Sequence, residues 1–138
     1  MISFANVTSH RAIFGDQPDV GDILRFVEVD LTIAVPPVTL CGRDLGLVDT
    51  LTGFSSARLL RREGETDLGE ITDGLRFRWT AADDMFVIRS PLASSPITVP
   101  AIEFLEELYD QARSLCRDMK EAGLHAEATM LIQLLALG

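Results

Sequence analysis

A chain of 138 residues can bury a core without disulfides or a structural metal. With 47% apolar and 24% charged residues it has the make-up of a globular protein rather than a disordered one. Its formal charge of −9 argues against nucleic acid or an anionic membrane as the main partner, since both are held through Lys and Arg; it suits a cationic partner, or none, with the excess acid serving solubility.

The opening stretches "ISFANV" and "RAIF" read as short strands before a polar turn, "GDQPDVGD". In "VEVDLTIAV", Val27, Val29, Leu31, Ile33 and Val35 alternate with Glu28, Asp30, Thr32 and Ala34. That period of two predicts a strand with one buried and one wet face. Pro36 and Pro37 end it, because proline offers no ladder donor. Gly42, Gly46 and Gly53 predict short bent or bulged strands over 38–54, and "SSARLLRREGETD" runs on into a polar turn.

Residues 67–90 carry the sharpest pattern. A loop at Thr72–Asp73–Gly74, with Gly74 at positive φ, would set Ile71 opposite Leu75 and Glu70 opposite Arg76. A turn over Ala81–Asp84 would set Trp79 opposite Phe86 and Phe77 opposite Ile88, with Leu75, Phe77 and Trp79 on one inner face. This predicts a three-stranded meander.

The period then changes. After "SSPITVP" a proline stands near a helix start, and Ile102, Leu105, Tyr109, Ala112, Cys116 and Met119 form one apolar helix face. Glu103, Glu106 and Glu107 come early and Arg113, Arg117 and Lys120 late, the order favoured by the helix dipole. Gly123 suits the C′ position, with Leu124 folding back toward Met119. Leu124 to Leu137 would make a helix of about 20 Å, too short for a bilayer core of about 30 Å. His125, Thr129 and Gln133 form its one polar stripe, so it is expected to be buried on most sides, within the core or in a subunit interface.

Chemistry-bearing motifs are scarce. His10 and His125 have no ligand-spaced neighbours for a metal, and Cys41 and Cys116 lack CxxC spacing and read as small buried hydrophobes. No GxSxG elbow, phosphate-binding loop or calcium loop is present. Asp83 and Asp84 sit at an exposed hairpin tip, and Glu28 and Asp30 on one strand face, without the desolvation that raises a catalytic carboxyl pKa. Arg76, Arg78 and Arg89 share the outer face of the meander, preceded by Arg58, Arg61 and Arg62. They read as a partly neutralised surface or as an anion-binding patch. Residues 1–57 and 101–138 each hold seven acids against three bases, so the charge is uneven.

The expected architecture is a single α+β domain over 1–138, with a β-rich part at 1–97 and a two-helix part at 98–138. A mostly antiparallel sheet of about five to six strands would pack against the C-terminal helical hairpin. With no secretion signal in "MISFANVTSH", a reducing cytoplasm is the expected location. No catalytic, cofactor-binding or metal site is expected. The function this implies is a non-enzymatic, acidic protein-binding module, most concretely an immunity or toxin-inhibitor (antitoxin) type protein that covers a basic enzyme. Glu103, Glu106, Glu107 and Asp110 are the first candidate contacts, with Asp83 and Asp84 second. The alternatives are a subunit or adaptor using the last helix as an interface, homo-oligomers included, and a small enzyme built from Cys41, His10 and Asp44.

Overall fold

The computed structural model describes residues 1–10, 24–70 and 72–137; the expected strand "RAIF", the turn "GDQPDVGD" and the pairing of Ile71 lie outside them. Strands β1 (Ile2–Ser9), β2 (Val27–Val35) and β3 (Val38–Gly46) form an antiparallel sheet with β2 in the middle. Val27, Val29, Leu31 and Ile33 are buried as the alternation requires, and only Val35, at the open end, reaches solvent.

Both neighbours of β2 are bulged beside Asp30. Asn6 and Asp44 take positive φ there, each 53°, a conformation that Asn and Asp tolerate better than most residues. The Asp30 carboxylate spans the two bulges. It accepts Asn6 Nδ2–H at 2.7 Å on one oxygen and the Asp44 main-chain N–H at 3.0 Å on the other.

Over 38–54 the expected bulge is present in β3, but in place of further short strands the chain forms one long strand and a helix, α1 (Leu47–Leu59). Leu47, Thr50, Leu51, Phe54 and Ala57 are its buried positions, spaced as one helix face. The Thr50 hydroxyl donates back to Gly46 O at 2.7 Å, so a residue of low helix propensity finds an internal partner. The helix touches β2 and β3.

Helix α1 also meets a second antiparallel sheet, β4 (Thr66–Leu68), β5 (Leu75–Thr80), β6 (Met85–Arg89) and β7 (Ile97–Pro100), in that order. Trp79 pairs with Phe86 and Phe77 with Ile88, as the Ala81–Asp84 turn predicts, and Leu75, Phe77 and Trp79 are buried together. The preceding hairpin differs. Leu68 pairs with Leu75 and Asp67 with Arg76, so Glu70 is not the partner of Arg76. Gly69, with φ 76°, opens the loop, and Gly74 closes it by donating to Glu70 O at 2.6 Å. A Cβ on Gly74 would run into the Leu68 and Glu70 carbonyls. Its glycine serves close approach, not positive φ. The segment "ITVP", expected only to lead into a helix, is the fourth strand.

Thus seven strands stand in two sheets among the described residues, in place of a single sheet of five or six. Helix α2 (Ala101–Glu121) lies against β1, β7 and α1, and α3 (His125–Leu137) rests on α2. The buried face of α2 is Ala101, Phe104, Leu108, Ala112, Leu115, Cys116 and Met119. The expected stripe is rotated: Ile102 is half exposed, and Leu105 and Tyr109 are only partly covered. Phe104 wins the inward position because Phe54 and Phe86 offer their rings at centroid distances of 4.7 and 5.5 Å. Gly123, with φ 84°, closes α2 as expected, with Leu124 N–H donating to Met119 O at 2.8 Å. That is the Schellman arrangement.

Helix α3 buries Ala128, Leu131 and Leu135 but leaves Ile132 half exposed. His125, Thr129 and Gln133 face solvent as expected. The cover is one-sided, not the burial on most sides that its composition suggested. No helix among the described residues is long and apolar enough to cross a membrane.

Candidate functional site

The six acids singled out in the sequence fall into two chemically different groups, although the fold brings the turn with Asp83 and Asp84 to the start of the helix that carries the other four. The Ala81–Asp84 turn meets α2 because Ala101 N–H donates to Asp84 O at 2.9 Å. This bond satisfies one of the donors left open at a helix start, where Pro100 provides no side-chain cap.

Asp84 is committed to that junction. Its carboxylate takes a forked contact from Arg58 at 2.9–3.1 Å and a bond from buried Trp79 Nε1–H at 2.7 Å. The Arg58 hydrogen bonds, followed by the Trp79 bond, hold the Asp84 carboxyl below the usual carboxylate range. The same contact raises Arg58. Asp84 is therefore half-buried and internally bonded, not an open hairpin tip. Neighbouring Asp83 stays exposed, and its carboxylate accepts the Thr80 hydroxyl.

On α2, Glu107 is likewise spoken for: its Oε1 accepts the Ile2 N–H at 2.8 Å and ties β1 to the helix. Asp110 is exposed and paired along the helix with Arg113 at 2.6 Å. Glu103 and Glu106 are exposed and make no hydrogen bond or ion pair among the described residues. Beside them, just before Glu103 and one turn before Glu106, stands Ile102, with half its surface open to solvent (50%). What the site can do chemically is present two negative charges and an apolar anchor from a helix whose start is pinned at Ala101 and Glu107.

The residues of the enzyme alternative share the outer face of the first sheet but do not assemble. Cys41 lies opposite Thr32, and the Thr32 hydroxyl approaches its sulfur at 3.9 Å. The ring of His10 contacts Glu28 at 3.3 Å, four residues along β2 from Thr32, or about 13 Å at strand spacing. Asp44 is bound through its main chain to Asp30. Cys41 is exposed, contrary to the expected burial, whereas Cys116 is buried and its thiol is pushed up by desolvation. No group of three His, Cys, Asp or Glu side chains among the described residues is placed to hold a metal.

The arginine face is as the register predicts. Arg76 and Arg89 are cross-strand partners, and Arg76 is held by Asp67 at 2.7 Å. Together with Leu68, Leu75 and Pro91 they line a cleft of about 400 Å³. Arg58, by contrast, belongs to α1 and serves Asp84.

Sequence reasoning missed the Arg58–Asp84–Trp79 junction, which joins residues 26 positions apart and leaves no local signal. Compared with protein-family models, with curated proteins and with solved structures, the chain matches none.

Proposed function

We propose that this chain is a non-catalytic protein-binding module that covers a basic partner with the N-terminal half of α2. In its most concrete form it is an inhibitor or immunity-type protein. The observation that carries the reading is the pair Glu103 and Glu106, exposed and without an intramolecular counter-charge among the described residues, beside half-exposed Ile102. Interfaces commonly combine an apolar anchor with a charged surround, and acids facing a cationic partner speed its capture. Asp110, and Asp83 on the adjoining turn, extend the negative surface; Asp84 and Glu107 support it from within.

Affinity capture at low salt tests the proposal, with the wild-type chain and E103Q/E106Q/D110N as paired baits in extract of the native host. A basic protein held by the wild type, released by salt and lost from the triple variant is the expected result. Retention of the same proteins by both baits, or of no basic protein by either, overturns it.

A further inference from the structure

Helices α2 and α3 leave an open groove of about 720 Å³ between them, lined by Arg113, Cys116, Arg117 and Lys120 of the first and by Ile132 and Leu135 of the second. Cys116 and Leu135, nearly buried, form its floor, and Ile132, 45% exposed, stands open beside them. The three bases stand at i, i+4 and i+7 on one side of α2, over a rise of about 10 Å or two helical turns.

The charge of this groove runs against that of the molecule. Arg113 shares its charge with Asp110. Arg117 and Lys120 are exposed and make no hydrogen bond or ion pair among the described residues. The exposed acids of the same stretch, Asp118 and Glu121, lie outside the lining, which contains no acid among the described residues, although the chain carries −9 overall. An apolar floor with charged heads along its edge is the make-up of a protein interface. A trough open along its length leaves a small molecule wet, because small-molecule sites enclose most of their ligand. A third helix laid between two packed ones can fill it.

We infer that the α2–α3 groove is a docking site for an acidic amphipathic helix of a partner protein. The apolar stripe of that helix lies on Ile132 and Leu135, and carboxylates flanking the stripe meet Arg117 and Lys120. Charge complementarity selects this occupant: a basic helix would bring like charge to two cations that have no counter-ion, and a wholly apolar one would bury their heads without a partner, which is costly. The inference does not rest on the basic-partner reading. It uses the other half of α2 and the opposite charge, so either can fail without the other.

Selection from a displayed library of random peptides of about 16 residues, enough for about four helical turns, tests it with the full-length wild-type chain as bait. Enriched peptides are expected to carry apolar residues at i, i+3, i+4 and i+7 with Asp or Glu beside them. A synthesised winner, followed by fluorescence anisotropy, should bind R117E/K120E about tenfold more weakly or worse, since two attractive contacts become repulsive. Ile132→Ser should also weaken it, and E103Q/E106Q should bind it like wild type. Thermal melts of the variants show that each is folded; all four changes are at exposed positions. No enrichment, enrichment of basic peptides alone, or a winner held equally by wild type and R117E/K120E would each overturn the inference. So would a winner that E103Q/E106Q releases or that ignores Ile132→Ser, because it would then bind elsewhere.

Discussion

Asp84 and Glu106 contribute equally to the formal charge, yet they belong to different parts of the machine. Asp84 sits where α1, the β5–β6 turn and α2 converge, and spends its carboxylate on Arg58 and Trp79. Glu106 stands on the open face of α2 with no partner among the described residues. A charge total counts both alike. Which acids remain available to another molecule is decided by the donors that the fold brings to them, and for Asp84 and Glu107 one of those donors, Arg58 or the Ile2 N–H, comes from distant sequence.

The strongest test of this contrast removes the committed carboxylate. Asp84→Ala leaves Trp79 Nε1–H, on a buried ring, without its acceptor, a penalty of about 1–3 kcal/mol, and also releases Arg58. It should lower the midpoint of urea unfolding more than any other single carboxylate replacement. Acid provides a second view. Because the folded value of Asp84 is depressed, the unfolded chain binds that proton more tightly. The contribution is complete above about pH 5 and is lost as the pH falls through the unfolded value, about 3.9, toward the folded one. The stability gap between wild type and Asp84→Asn should therefore close on acidification; a gap that is constant with pH would show that the Arg58 contact carries nothing.

How far such a division can be read from sequence depends on the range of the interactions. The β2 alternation and the Trp79–Phe86 register were legible, because a strand's two faces and a four-residue turn are local geometry. Helix α1 was not. Gly46, Thr50, Thr52 and Gly53 are poor helix formers, and they hide the spacing of Leu47, Leu51 and Phe54, which burial between two sheets makes decisive. On α2 two apolar sets both satisfy helical spacing, and only Phe54 and Phe86 select Phe104 over Ile102. That choice turned Ile102 outward and placed it beside Glu103 and Glu106. The exposed acids followed from their helical positions; the commitment of Asp84 and Glu107 needed partners from α1 and β1.

Asp30 falls between the extremes. Its carboxylate holds two bulges together from a half-exposed position. Asp30→Ala should cost about 1 kcal/mol, the net worth of an ordinary hydrogen bond, in equilibrium denaturation. Hydrogen exchange locates the effect: faster exchange at Asp44 N–H with that at Trp79 Nε1–H unchanged is expected. Equal acceleration of both would mean that the two junctions are coupled and that the contrast is one of degree.

The finest test compares two neighbours on one helix turn. Glu107→Ala removes the acceptor of Ile2 N–H and should also cost about 1 kcal/mol. Glu106→Gln should stay within about 0.5 kcal/mol of wild type, as surface replacements usually do, because the folded chain gives that carboxylate nothing to hold. Denaturation curves for the two variants, measured in one buffer at low protein concentration to keep association out of the balance, decide the matter. If Glu106→Gln destabilises as much as Glu107→Ala, then Glu106 is a structural acid too, and the face of α2 has less charge to offer a partner than its sequence implies.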